Sequence, residues 1–468
     1  MSSTVERASR VRFRRAMSLM VMTLVVPGSA QLVAGNRKVG QVALRIWLCL
    51  LGIGAVTLLA VVVDRGLIFW MGFNTTLLLF VRLALMAAAI GWAALLVDAW
   101  RLGQPLSLGM NHRRAMVGVN GVLCFGVAGS LLFAAHIAGV QRDLIISLAG
   151  NGPAASAHDG RYNVLLMGGD SGAGRWGLRP DSMTVASIDA DTGRTVLIGL
   201  PRNMANFPFA KGSVMREQFP DGFDCDGCYL NGVSTWAQDN PELFGDSDNP
   251  GVDATVSAIE GITGLKINYW AMVNLAGFKG LVDAVGGVTL NVRSPIPVGG
   301  LGDDVTGYIE PGVRKLDGHD TLWYARAREG SDDYSRMARQ KCVMNAMLEQ
   351  VSPQSAVTNF ADLATASSEM LSSNVPSSEF DTFVELALKA RGEKIASLSL
   401  VPPMVNTGNP DIKLVKRKVA EAIDKAEGKT VKAAPKPQKK PSTVTGGSVG
   451  SLRDGYAAND SEDLGSAC

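Results

Sequence analysis

The chain has 468 residues, 47% of them hydrophobic, with 6 cysteines and a formal charge of only +2 from 45 Lys+Arg and 43 Asp+Glu. That composition excludes a small disulfide scaffold, a disordered chain and a basic nucleic-acid binder, so no nucleic-acid partner is expected. The charge is unevenly placed: residues 1–140 carry +10, Lys38 and twelve arginines against Glu6, Asp64 and Asp98, while the rest carries −8. The two parts are therefore expected in different surroundings, and a prior of roughly 150 residues per domain predicts two or three units.

Residues 1–15 form a basic N-terminus, with Arg10, Arg12, Arg14 and Arg15 just before an uncharged run over 16–36. Pro27-Gly28 interrupts that run, and Arg37, Lys38 and Arg45 follow it. Basic residues on both flanks mark both ends as cytoplasmic. The run is thus expected to be a re-entrant hairpin, tolerable only where its broken backbone is buried in protein. Four full spans are the alternative, and would leave the large C-terminal part in the cytoplasm. Spans are predicted at about 46–63 and 115–138, the latter within an uncharged run to Gln141, because about 20 apolar residues cross a bilayer. A third is predicted at 76–97, with Arg82 near enough to one end to snorkel and 66–75 as a short interfacial loop. Arg101, Arg113 and Arg114 mark 98–114 as cytoplasmic. Three spans starting inside predict a multi-pass protein of the cell membrane with an extracytoplasmic C-terminal part. No cleavable signal peptide is expected, since basic residues follow the first apolar run.

Residues 142–160, small and polar over 149–160, read as a tether. Strands are then predicted at 162–168, 182–188, 195–200, 268–273 and 288–292, with a hairpin turn over Asp189–Arg194. Helices are predicted at 252–263, 275–285, 317–327 and 332–350. A second α/β-like stretch over 355–425 adds a helix near 380–390, a strand at 395–401 and a helix at 411–426. The expected fold is α/β (α+β): an extracytoplasmic domain over 161–427 with a central mixed sheet flanked by helices, preceded by an α-helical multi-span membrane region over 16–141. Residues 428–450, rich in Lys, Pro, Gly and Ser, read as a flexible linker, leaving 451–468 as a tail.

Cys49 and Cys124 fall in spans, where packing is role enough. Cys225, Cys228, Cys342 and Cys468 lie beyond them, and four thiols pair in three ways. The pairing expected is Cys225–Cys228 with Cys342–Cys468, the second pinning the tail to the domain. A redox pair is the alternative at Cys225 and Cys228, but Asp224 and Asp226 beside them would raise a thiol pKa rather than lower it.

Three regions gather charge where a sheet meets its loops. The first runs from Gly168 to Gly177. Its residues 172–177 match G-x-G-x-x-G, yet such a fingerprint must open a helix, and 182–188 reads as strand. Its Gly-Asp-Ser-Gly is shared with serine proteases, yet His112, His136, His158 and His319 offer no partner for a triad. A better account starts from Asp170 and Asp181, bracketing a glycine-rich loop at a strand end with Arg179 two residues before the second. Two carboxylates on neighbouring strand ends suit one Mg²⁺, whose octahedron is completed by water and phosphate oxygens. Aspartate in such a loop also serves as a plain turn former. The second region is Pro201-Arg202-Asn203 after an apolar strand. The third runs from Tyr324 through Arg326 and Arg328 to Asp332, Asp333, Arg336, Arg339, Gln340 and Lys341. Arg336 and Gln340 share a helix face, with Arg339 one step round. Arginine binds phosphate oxygens bidentately, although Asp–Arg pairs on a solvated helix would look similar. In a domain of net charge −8, such a cluster suits a polyanionic headgroup.

The series N-V-L-L-M-G-G-D-S-G (163–172), L-R-P-D-S-M (178–183), L-P-R-N-M (200–204), Y-L-N-G (229–232), V-D-A-V-G-G-V (282–288), L-D-G (316–318), Y-A-R-A-R (324–328) and R-x-x-R-Q (336–340) closely resembles the LytR-CpsA-Psr family in order and spacing, over about 162–350. The extra cysteines and long C-terminal extension resemble actinobacterial members. The resemblance implies a membrane-anchored enzyme that moves a glycopolymer, such as arabinogalactan, teichoic acid or capsular polysaccharide, from an undecaprenyl or decaprenyl diphosphate carrier onto peptidoglycan. It implies that Asp170 and Asp181 hold Mg²⁺, or Mn²⁺ in its place, and that Arg179, Arg202, Arg326, Arg328, Arg336 and Gln340 cradle the diphosphate. Of these, Asp170, Asp181, Arg202, Arg326 and Arg328 form the expected catalytic set, and Arg339 joins the expected diphosphate contacts. The chain departs from the family pattern at Gly172, where an arginine is common, and at Asn203, where Pro-Arg-Asp is usual. The carrier's lipid tail needs an apolar slot, for which helix 275–285 with Ile259, Ile262 and Leu265 is the candidate, core packing being the alternative. The rival functions are a polyprenyl-diphosphate pyrophosphatase and a non-catalytic lipid-diphosphate receptor or regulator.

Overall fold

The computed structural model describes all residues except 1, 64–65, 151, 171–178, 301–303, 329–331, 351–370 and 430–457. The chain divides into two units, Met1–Asp143 and Leu144–Cys468.

The first unit is built from helices α1 (Ser2–Val25), α2 (Ser29–Ala34), α3 (Arg37–Val63), α4 (Gly66–Phe73), α5 (Thr75–Leu102) and α6, which runs Met110–Leu148. Among the described residues, three stretches are long and apolar enough to cross a membrane: Arg37–Val63, Thr75–Ser107 and Met110–Ile146. The run 16–36 breaks between α1 and α2 at Gly28, whose φ of +89° favours glycine. The run is tied to α5 at two points: Trp92 Nε1 donates to Thr23 O at 3.1 Å, and the Gln31 side chain donates through Nε2 to Leu95 O at 3.0 Å, while Val21, Val25 and Val33 are exposed. Residues 66–73, expected as loop, are helical, because this apolar run continues until Asn74 caps α5 by accepting from Leu77 N at 2.9 Å. Arg82 is half-buried, its guanidinium lying against Gly139 of α6.

The second unit is organised by a mixed sheet in the order β11-β10-β3-β2-β1-β4-β9. Its strands are β1 (Arg161–Asp170), β2 (Arg179–Asp189), β3 (Thr195–Leu200), β4 (Tyr269–Asn274), β9 (Leu371–Ser373), β10 (Ala396–Ser399) and β11 (Asp460–Ser461). β4 runs parallel to β1 and β10 parallel to β3; the other pairs are antiparallel. Side chains alternate across the pleat. Leu165, Met167, Met183, Val185, Ile198 and Leu200 enter a core with α7 (Val214–Gln218), α8 (Val233–Asp239), α9 (Pro250–Thr263) and a later helix, Ile412–Ala426. Leu166, Ala186 and Leu197 face α12 (Asp333–Gln350) and the C-terminal segment. Every residue of β3 is buried, as a strand covered on both faces must be. Of the α/β-like stretch expected over 355–425, the strand is β10 of this same sheet and the helices are Phe380–Ala390 and Ile412–Ala426, while 355–370 lies outside the described residues.

A satellite core joins α10 (Leu275–Ala284), α11 (Gly318–Arg326) and α12 to two short ribbons, β5 (Val288–Val292) with β8 (Gly312–Leu316), and β6 (Ile296–Gly299) with β7 (Val305–Ile309). This arrangement removes the expected lipid slot: Ile259 and Ile262 are fully buried in the main core, whereas Val282 of α10 belongs to the satellite one. The part of the tether in this unit is strapped down rather than loose. Gly150 N donates to Val375 O at 2.8 Å, Ala155 N to Tyr269 Oη at 2.6 Å, and Asn268 Nδ2 to Ser156 O at 2.8 Å. From residue 430 the expected linker lies outside the described residues.

Candidate functional site

β1 and β2 pair in register until Gly168, opposite Ser182, after which Gly169 faces Pro180 and Asp170 faces Arg179. Asp181 is therefore the extra residue of a β-bulge, the device that re-aims a side chain at the end of a ladder. Its carbonyl, freed from the ladder, accepts from Arg336 Nη2 at 3.0 Å, and its carboxylate takes Arg202 Nη1 at 2.7 Å. Arg202 stands just beyond β3, the neighbouring strand, which brings it to the same sheet end. Asp333, at the start of α12, links the two arginines, with Oδ1 3.6 Å from Arg202 Nε and 3.0 Å from Arg336 Nη2.

α12 also secures the end of α11, where Arg326 and Arg328 emerge. Carbonyls in the last turn of a helix lack partners inside it. Arg339 Nε donates to Tyr324 O at 2.7 Å, its Nη2 to Ala327 O, and its Nη1 to Ser335 Oγ at 3.0 Å. Gln340 Nε2 donates to Ala325 O at 3.2 Å, while its Oε1 accepts from Ser182 Oγ at 2.9 Å. Arg339 is therefore a correction to the expected diphosphate contacts: it is buried, with all three nitrogens bonded to protein. Gln340 ties β2 to α11.

The electrostatics of the cluster follow from burial and from unequal numbers of charges. Burial pushes the Asp181 carboxyl up, but the hydrogen bond and charge of Arg202, with Arg336 and the Asn231 amide, hold it below its ordinary value. Burial and then the charge of Arg202 lower the Arg328 guanidinium, against Asp333 and Asp181. Arg336 is lowered by burial, relieved by Asp333 and opposed by Arg202 and Arg328. The Nε atoms of Arg328 and Arg336 are buried without a hydrogen-bond partner among the described residues. Among the described residues, three guanidiniums thus meet two carboxylates, with donor capacity left over.

Of the other expected site residues, Arg179 is exposed at the start of β2, and Arg326 ends α11 with its guanidinium 5.2 Å from the Trp323 ring centre. Asp170 ends β1, but its side chain lies outside the described residues, as do the glycine-rich loop over 171–178 and Gly172. Asn203 is exposed. The cysteines form the bridges Cys225–Cys228 and Cys342–Cys468. Two members of the cluster were absent from the sequence-derived set. The signal for Asp333 was its position three residues before Arg336, and that for Asn231 was its place in Tyr-Leu-Asn-Gly.

Hard oxygen donors suit Mg²⁺, and Asp181 fits that role: its carboxylate is ionised and partly exposed, with its side chain 26% accessible.

The LytR_cpsA_psr family model matches residues 140–427. Biofilm regulatory protein A of Streptococcus mutans is 25% identical over 236 residues, covering 48% of this chain and 53% of its own. The polyisoprenyl-teichoic acid–peptidoglycan teichoic acid transferase TagU of Oceanobacillus iheyensis is 28% identical over 204 residues, covering 43% and 55% respectively. The chain thus spans about half the length of these curated relatives. The crystal structure of protein gbs0355 from Streptococcus agalactiae superposes with a TM-score of 0.43 at 21% identity, over 59% of this chain and 91% of its own. The matched span takes in the start of β2, the end of β3 and both helices of the cluster, and the chain belongs to the LytR_cpsA_psr family.

Proposed function

We propose that the cluster binds a polyprenyl diphosphate carrying a glycopolymer and transfers the glycan phosphate to a hydroxyl of peptidoglycan. The observation that carries this reading is the pair of buried Nε donors on Arg328 and Arg336 that are unpartnered among the described residues, within a cluster gathering the guanidiniums of Arg202, Arg328 and Arg336. A diphosphate supplies the missing acceptors and the missing negative charge. The relative from Oceanobacillus iheyensis, named for teichoic acid transfer to peptidoglycan, supports the acceptor class.

In this reaction a sugar hydroxyl attacks the phosphorus nearest the glycan. The bond from that phosphorus to the bridging oxygen breaks, polyprenyl phosphate leaves, and the hydroxyl proton is released. Little covalent work falls to the protein, so rate comes from positioning and from charge placed where the leaving group develops it. Arg328 and Arg336 would receive the diphosphate oxygens, and Arg202 holds Asp181 ionised beside them. Asp181, with Asp170 on the adjoining strand end, would hold Mg²⁺, which supplies neutralisation of diphosphate charge when bound. The three apolar helices, with arginines clustered before the first and again between the second and third, support a multi-pass anchor in the cell membrane with this domain outside, where both carrier and acceptor are found.

The test offers the full chain a polyprenyl-diphosphate glycan, Mg²⁺ and peptidoglycan, and weighs the products. Polymer joined to peptidoglycan supports transfer. Free glycan phosphate identifies a pyrophosphatase, and an unchanged bound donor identifies a receptor; either result overturns the proposal.

A further inference from the structure

The residues after 457 return to the helix that carries the site. Ala458, Asn459 and Leu464 are buried, and Asp460–Ser461 add strand β11 beside β10. Asn459 is the centre of a buried hydrogen-bond chain. Its Nδ2 donates to Tyr334 O at 2.8 Å, one residue from Asp333, and its Oδ1 accepts from Ser399 Oγ at 2.7 Å. Ser399 Oγ in turn accepts from Lys341 Nζ at 2.6 Å, one residue from Gln340. Leu464 N donates to Ile395 O at 2.9 Å, Arg293 Nη2 donates to Ala467 O at 3.2 Å, and Cys468 is bonded to Cys342. Tyr334 and Cys342 bracket Arg336, Arg339 and Gln340, so α12 is held on both sides of its site residues.

We propose that the segment Ala458–Cys468 is a positioning element of the anion site, fixing α12 against the sheet so that Arg336 and Asp333 stand where the diphosphate meets them. The inference rests on the diphosphate reading for its ligand, but its mechanical half does not. Three features argue for a role beyond covering the sheet edge. Contacts at two separate points, through Asn459 and through Cys468, fall on one helix, while others tie the segment to β10 and Ile395. They include a side chain, Asn459, whose amide is satisfied at both ends by that helix and its Ser399 support. They also include a covalent bond to the helix itself.

The test compares the full chain in detergent micelles with its Cys468→Ser and Asn459→Ala variants. Cys468 is only partly buried, packed at the edge of a core rather than inside it, so the first variant keeps the buried side chains in place if the second folds poorly. Hydrogen exchange of the amides over 333–341 is read without ligand, and binding of farnesyl diphosphate with Mg²⁺ is read by titration calorimetry. Loss of one buried hydrogen-bonded anchor is expected to speed α12 exchange and weaken farnesyl diphosphate binding about tenfold each, with exchange in β1 and β4 unchanged. Unchanged exchange over 333–341 overturns the proposal. Faster exchange with unchanged affinity also overturns it, since the segment would then support the fold without setting the site. Failure of the unaltered chain to bind farnesyl diphosphate overturns the diphosphate reading instead, and the exchange measurement still decides the hold on α12.

Discussion

Replacing Lys341 by methionine is expected to stabilise the protein at neutral and acidic pH and to leave it slightly weaker in alkali. Lys341 is buried between α12 and the sheet; burial pushes its ammonium down from 10.5 to about 7, a fall that Asp460 only partly offsets. Between those values the unfolded chain holds a proton that the folded chain lacks. Stability therefore rises with pH across the window, is fully present above 10.5 and is at its lowest below 7. Each tenfold change in proton affinity is about 1.4 kcal/mol, so the drop amounts to about 5 kcal/mol. Methionine keeps the length and the apolar stem but gives up the 2.6 Å bond to Ser399 Oγ, a loss of about 1 kcal/mol. The net expectation is a gain of about 4 kcal/mol at pH 6 and a loss of about 1 kcal/mol at pH 10.5. Urea unfolding of both proteins in micelles, followed by tryptophan fluorescence from pH 6 to 10.5, measures the difference at each pH. Parallel curves for the two proteins would refute the reasoning, because they would mean that Lys341 binds its proton equally in the folded and unfolded chains.

Asp181→Ala is expected to lower cation-dependent turnover of a lipid diphosphate by about 10²–10³, with the fold intact by circular dichroism; retained turnover removes Asp181 from the site. In Arg202→Gln the Asp181 carboxyl loses its main stabilising partner and its pKa rises. The acid limb of the pH–rate profile should then move to higher pH, and an unmoved limb would show that Asp181 is not the group titrating. Gly199 is held tightly: a Cβ there would stand 3.1 Å from Ser399 Oγ and 3.2 Å from both Lys341 Cε and Met337 Cε. Gly199→Ala is therefore expected to cost about 1–3 kcal/mol, read as a lower urea midpoint with a similar m value.

The strands that carry the site were legible because their apolar residues are continuous or alternating and their ends are marked by Asp189–Arg194 and Pro201. The bulge was not, since a one-residue slip leaves composition and periodicity untouched; only the ladder from Gly168 onward shows that Asp181 stands outside it. Helical spacing correctly separated Arg336 from Arg339, but spacing does not say which neighbour each face meets. α11 is the neighbour that turns Arg339 from a ligand contact into a partner for backbone carbonyls. The lipid slot failed for a related reason: two apolar helices adjacent in sequence feed two different cores. The ribbons β5–β8 and β6–β7 offer only four or five residues per strand, and only β5 was predicted.

The order of strands has a consequence for biogenesis. Val196 of β3 pairs with Ala396 of β10, about 200 residues later, and β10 is in turn bordered by β11 at 460–461. A ribosome that has already delivered β1, β2 and β3 must add those remaining residues before the half-built sheet can acquire its last two neighbours. Contacts of such separation are slow to form. During that interval β3 presents an unpaired apolar edge, a natural place for a chaperone to hold the nascent chain and for a prematurely terminated product to aggregate.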